Sequence, residues 1–243
     1  MPKKIFSQIS IILILLTLGL TLPTKLPRAQ DVSGNFILAW SSDSYLPPGY
    51  PGRALPSRLS RVRVTAMPVE KLTYNPDQLS YRWLLDEQVA GRDSGPGKSA
   101  FTFTVTKWGG DSHEVQLQIL DLGGNVIGQN SLLIPVVEPQ TLLVASNENY
   151  AAQDTLPART GQEINLLAAP LFFAVKALDE LNFEWNFDGQ TLTSADQKNL
   201  NRFTLKIPAG NLVQSLWRQL KLYVSRKVDE LQQSSNELMI EIK

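Results

Sequence analysis

The sequence predicts an all-β protein: an export leader followed by two tandem antiparallel β-sandwiches. Three observations carry this expectation. Apolar and polar residues alternate over short runs, clusters of glycine, proline, asparagine and aspartate separate those runs, and the runs recur at a nearly constant offset along the chain.

The leader comes first and occupies residues 1–29. Lys3 and Lys4 form a positive start, Ile11 to Leu22 is an apolar run broken only by Thr17, Gly19 and Thr21, and Ala29 sits where a signal peptidase cuts. That order is the order of a secretory signal peptide. Counted from Ile5 the stretch reaches 18 residues, near the minimum for a membrane span, so an uncleaved anchor is the alternative. The chain has 23 basic and 23 acidic residues. Removing the leader takes away four bases and no acid, leaving 19 against 23. A mildly acidic product lacks the basic footprint of a nucleic-acid binder, and no nucleic-acid partner is expected. The membrane enters only through the leader, if it stays uncleaved. There is no cysteine, which excludes disulfides, thiolate zinc sites and thiol nucleophiles.

Two modules follow, expected over residues 30–138 and 139–243. Leu79–Gln88 (LSYRWLLDEQ) and Leu181–Gln190 (LNFEWNFDGQ) lie 102 residues apart, and Phe101–Val105 lies over Phe203–Ile207 at the same offset. Leu55–Arg58 matches Leu156–Arg159, Val62–Pro68 matches Ile164–Pro170, and Asn130–Val136 matches Asn236–Ile242. Each block has period two. Val62, Val64 and Ala66 share a face, as do Tyr81, Trp83 and Leu85, then Val115, Leu117 and Ile119. The second copy repeats this with Ile164/Leu166, Phe183/Trp185/Phe187 and Leu220/Leu222/Val224. One face buried and one wet is how the sheets of a sandwich pack. About seven short strands in roughly 100 residues is the immunoglobulin-like pattern. Helical period is absent, except for one possible turn at Ala177–Leu181. The connector Glu138-Pro139-Gln140 is too short and stiff to be a loose tether, so two end-to-end modules with a restricted hinge and a rod-like particle are expected.

The aromatic-x-Trp strands at Tyr81/Trp83 and Phe183/Trp185, the aspartate turns after them, the Phe-Thr strands at Phe101 and Phe203, and Val115-x-Leu-x-Ile-x-Asp121 with its glycine turn resemble the polycystic-kidney-disease (PKD) type of immunoglobulin-like module. The family's W-D-F-G-D-G motif stands here as Trp185-Asn-Phe-Asp-Gly189, one residue short, and as Trp83-Leu-Leu-Asp-Glu87. The resemblance spans both copies from about Val32 onward, as a divergent relative or a neighbouring family. It implies surface spacing or adhesion in bacterial secreted or surface proteins, with no catalytic residues.

Candidate sites are few. Trp83 and Trp185, with Phe101, Phe103, Phe183 and Phe203, read as structural core. Tyr45 and Tyr50 stand in a Pro/Gly/Tyr segment, Tyr45–Gly52, that carries four more residues than its counterpart between Tyr150 and Leu156. This segment is a candidate contact surface for sugar or protein, or else a stiff lead-in to an edge strand. Trp108 and Trp217 are candidate exposed aromatics, with packing under a loop or a neighbouring copy as the alternative. The single histidine, His113, is expected to cap a strand end; alone it builds neither a triad nor a multi-histidine metal site. The adjacent carboxylates Asp179/Glu180 and Asp229/Glu230 point to opposite faces of a strand rather than across a cleft. Asp43, Asp86 and Asp188 are weak candidates for calcium in loops. No metal, cofactor or enzyme activity is expected. The functional expectation is an exported spacer, adhesion or assembly module with a protein or glycan partner at the cell surface. The alternative is a carbohydrate- or peptide-binding module that uses the exposed aromatics of the first copy.

Overall fold

A computed structural model of the chain describes residues 36–69, 76–145, 155–192 and 199–243. The leader and Tyr150 lie outside the described residues, and with them the choice between signal peptide and anchor and the length comparison for Tyr45–Gly52. Among the described residues no helix is long and apolar enough to cross a membrane.

The first module holds β1 (Phe36–Ser42), β2 (Arg61–Pro68), β3 (Ser80–Leu85), β4 (Gln88–Val89), β5 (Gly95–Pro96), β6 (Ala100–Thr104), β7 (Ser112–Leu120) and β8 (Val126–Pro135). One sheet runs β1-β2-β6, the other β4-β3-β7-β8 with β5 paired to β3. The second module holds β9 (Gln140–Ala145), β10 (Thr155–Ala158), β11 (Glu163–Leu171), β12 (Leu181–Phe187), β13 (Gln190–Leu192), β14 (Arg202–Lys206), β15 (Leu216–Arg226) and β16 (Asp229–Ile242). Its sheets run β14-β11-β9 and β10-β16-β15-β12-β13. All pairs are antiparallel except one: β10 runs parallel to β16, from Thr155↔Met239 to Ala158↔Ile242. Each module is an immunoglobulin-like sandwich with its own core.

Alternation builds those cores. Val62, Val64, Trp83, Val115 and Leu117 are fully buried while their strand neighbours face outward, and Trp185, Leu220, Leu222 and Val224 do the same in the second module. Phe101 and Phe103 are buried, and Phe183 and Phe203 are half-buried against the second core. The two tryptophans are held alike. Trp83 Nε1–H donates to Lys98 O at 2.9 Å and its ring stacks on Phe101 at 5.8 Å. Trp185 Nε1–H donates to Leu200 O at 3.3 Å and stacks on Phe203 at 5.2 Å. Every member of the second set stands 102 residues after its counterpart in the first. A bonded indole satisfies its one donor while burying a large apolar surface.

Turns follow the same register. Asp86 and Glu87 have φ of 48° and 67°, Asp188 and Gly189 have 48° and 82°. Both positions of a two-residue hairpin turn are thus left-handed, the geometry that matches strand twist. The structure corrects one alignment. Leu55–Arg58 and Leu156–Arg159 look alike at an offset of 101, yet Ser60 N–H donates to Ser57 O and Gln162 N–H to Arg159 O. Leu59 (φ 70°) therefore stands over Gly161 (φ 76°), an offset of 102. Backbone geometry, not side-chain likeness, sets the match. Near Ala177–Leu181 a single 3-10 turn forms, Leu178–Glu180, where Glu180 Oε1 accepts the backbone N–H groups of Lys176 and Ala177.

Candidate functional site

The residues singled out in the sequence fall into three places. The first is the junction between the modules. Tyr45 is half-buried and packs against the core of the second module. Its N–H donates to Phe173 O at 2.7 Å, and its carbonyl accepts Phe172 N–H at 2.8 Å. Tyr50 meets Phe172 edge-on with ring centroids 6.3 Å apart. Burial pushes the Tyr45 phenol above its ordinary value. Phe172 has φ of 64°, a costly conformation for a bulky residue, and that bend is what turns its N–H toward Tyr45. The proline-rich segment of the first module thus covers the second one.

A second contact completes the junction. Gln232, on β16, is 1% exposed. Its Nε2 donates to Ser57 Oγ at 3.0 Å and to Arg58 O, and its Oε1 accepts Ala174 N–H at 2.8 Å. One side-chain amide therefore donates twice across the seam while its oxygen accepts from its own module, so all its polar atoms are used, as in a buried amide they must be. Sequence reading missed Gln232, Phe172 and Phe173. Gln232 sits in a polar run, Glu230 to Glu237, with nothing local to mark it as buried.

The second place is the end of β3. His113 stands at a strand end, the second residue of β7, and is 1% exposed, with its ring against Phe103 at 5.1 Å. Its Nδ1–H donates to Asp86 Oδ2 at 2.7 Å. Asp86 Oδ1 also accepts Lys107 Nζ at 2.9 Å and Glu114 N–H at 3.0 Å. With donors and a cation crowded on it, this carboxylate is unsuited to calcium. The counterpart Asp188 is taken by Arg218 at 3.2 Å and Gln219 N–H at 2.9 Å. No group of three or more His, Asp or Glu that would hold a metal occurs among the described residues. The Asp86–His113 pair is the base half of a hydrolase triad in composition alone. His113 Nε2 is buried without a hydrogen-bond partner, so among the described residues no hydroxyl is bonded to it as a triad's nucleophile would be.

Burial pushes the Asp86 carboxyl up, but the Lys107 bond, the Glu114 N–H and His113 outweigh it and hold it below 3.8. A carboxylate depressed in the folded state adds stability above its unfolded value and loses it as pH falls through the folded one. The urea midpoint of the wild type is therefore expected to drop as pH is lowered below 3.8. Asp86→Asn should flatten that slope. An unchanged slope in the variant would remove Asp86 from the acid response.

The third place holds the open aromatics. Trp108 is 47% exposed, with the Arg58 guanidinium 4.2 Å from its ring centroid. Trp217 is 50% exposed on β15, and Tyr223 lies on the same face of that strand. Beside Tyr223, a groove of about 640 Å³ crosses the outer face of β12, β15 and β16. Glu184, Asn186, Gln219, Lys221 and Glu237 line it, and Lys221 pairs with Glu237 at 3.5 Å. The structure does not bring the four candidate aromatics together: Tyr45 and Tyr50 are in the junction, Trp108 beside it, and Trp217 on the second module.

No family model matches the chain, and no curated protein matches it. Solved structures do. The three N-terminal domains of the outer capsid protein Hoc of bacteriophage RB49 are 11% identical over 86% of this chain, with a TM-score of 0.43. The chain spans 59% of that protein's length. Fibronectin(III)-like modules of Clostridium thermocellum CbhA are 11% identical over 85% of this chain and 94% of theirs, TM-score 0.28. The Bacteroides ovatus protein SGBP-B, solved with a mixed-linkage heptasaccharide, is 14% identical over 87% of this chain and 48% of its own, TM-score 0.27.

Proposed function

We propose that this chain is an exported, non-catalytic surface module that holds a fixed distance and orientation as a spacer, adhesion or assembly unit. The junction carries this reading. Reciprocal backbone bonds between Tyr45 and residues 172–173, and a fully bonded buried Gln232, join two sandwiches far more firmly than the short connector between β8 and β9 requires. Orientation is worth that investment only where it is used. Small-angle scattering of the purified protein tests it: a single rigid conformer fitting the profile supports a fixed spacer, and a profile that needs a broad ensemble overturns it. Fractionation of the producing cell tests the export part, with protein retained in the cytosol as the contrary result.

The groove beside Tyr223 favours a second reading, a carbohydrate- or peptide-binding module. Tyr223 on an amide-rich face, with the exposed Trp217 two residues before the lining Gln219 on the same side of β15, suits stacking and hydroxyl bonding. In the sequence this role fell to aromatics of the first module; the open face that best fits it is on the second. Trp217→Ala is expected to leave stability within about 0.5 kcal/mol, because the ring is half in solvent. It should abolish any signal on a glycan array. Binding that survives Trp217→Ala would remove this face from recognition.

A further inference from the structure

The far end of the second module is open where the same end of the first is closed. In the first module the His113 ring fills the mouth between the sheets against Phe103. The residue in that place in the second module is Arg218, 105 positions on, which reaches Asp188 as His113 reaches Asp86 but brings a linear side chain in place of a ring. Leu205 stands for Phe103, and the loop before β15 runs over nine residues (207–215) against seven (105–111). What results is a hollow of about 490 Å³ lined by Leu205, Ile207, Leu212, Leu216 and Ile242, among others. Its lip is apolar and wet: Leu212 is 41% exposed and Leu216 36%, and the fully exposed Val213 follows Leu212 in the same loop. An exposed apolar patch of this kind marks an interaction surface.

The chain itself shows what such an end receives. At the junction, the β15–β16 hairpin of the second module sets Gln232 on the Ser57–Ser60 turn of the first. The turn standing for Ser57–Ser60 in the second module is Arg159–Gln162, and its Thr160 borders the hollow. The hairpin standing for β15–β16 in the first module is β7–β8, at the end of the sandwich away from the junction. Its last pair, Leu120↔Val126, stands for Ser225↔Gln233, so Val126 lies beside the place of Gln232. The hairpin end that docks inside the chain is polar, whereas the β7–β8 tip and the rim of the hollow are apolar. Leu122 at that hairpin tip is 85% exposed and Val126 49%. Charge agrees as well. The tip carries Asp121, whose carboxylate is held ionised by bonds from Asn125 and the Gly123 N–H. The mouth carries Arg159, Lys206 and Arg218 against Glu163 and Asp188, one base in excess.

We infer that copies of this chain associate head to tail, the β7–β8 hairpin of one seated in the open mouth of the second module of the next. Such a contact joins two different surfaces, so it does not close on itself in a pair and grows into a chain of copies. The inference goes beyond the spacer reading, and its test leaves the internal junction untouched.

Sedimentation velocity of the purified protein over rising concentration is the experiment. The wild type should gain mass past the dimer. Leu122→Asp on the tip and Val213→Asp on the lip alter exposed side chains, and circular dichroism melts confirm that each folds. Either change should weaken association about ten- to a hundredfold. Leu122→Asp keeps a good mouth and Val213→Asp a good tip, so an equimolar mixture should form dimers and nothing larger. A wild type that stays monomeric at every concentration overturns the inference. So does association that survives in both variants, or that is lost in each and not restored by mixing.

Discussion

Trp185→Ala is expected to destabilise the second module by about 3–5 kcal/mol, the usual cost of emptying a large aromatic site. Three losses add. The indole is fully buried, so its removal leaves a cavity that sheets fixed by their ladders do not collapse to fill. The stack on Phe203 disappears. Leu200 O loses its donor. Trp83→Ala should do the same to the first module, through Phe101 and Lys98 O. Denaturant melts read both, and the informative detail is which transition moves. Each module has a separate core, so each variant should make its own module unfold first, splitting the joint transition that the junction imposes on the wild type and leaving most of the other module in place. A Trp185→Ala protein that melts like the wild type would overturn the assignment of this residue to the core.

Gln232→Leu is the second large effect. The leucine matches the size of glutamine but offers neither donor nor acceptor, so the Ala174 N–H and Ser57 Oγ are left in a seam that water does not enter freely. A buried polar group without a partner costs about 1–3 kcal/mol, and here more than one is stranded. The expected result is loss of coupling, with little damage to either core. The two modules should melt independently, and scattering should show a wider range of orientations than in the wild type. Gln232→Glu should be nearly as disruptive, because a carboxylate has no hydrogen to give Ser57 Oγ or Arg58 O. If Gln232→Leu neither separates the transitions nor widens the ensemble, this residue does not lock the junction.

Fold and site were not equally legible in the sequence. Strand faces were written in plain alternation, so Val62/Val64, Trp83 and Leu220/Leu222/Val224 are buried where period two puts them. The repeat made each reading twice over, and the matched bonds of Trp83 and Trp185 show why: the same spacing returns the same acceptor carbonyl. Long-range polar contacts left no such trace. Ser57 and Gln232 are 175 residues apart and gain meaning only when two modules meet. The burial of His113 is hidden for a related reason: only the carboxylate of Asp86, brought from the turn after β3, gives its ring nitrogen a partner inside. The parallel β10–β16 pair was likewise invisible, since alternation says which face is wet and nothing about strand direction.

The separation of Ser57 from Gln232 also imposes an order in time. A chain made from its amino end completes the first sandwich long before β16 exists. Until then Ser57 Oγ and Arg58 O stand without Gln232, while the Tyr45 segment waits only for Phe172 and Phe173. The Gln232 part of the junction therefore closes only after both sandwiches have their strands. With no cysteine in the sequence, that closing step needs no oxidant, only the arrival of β16.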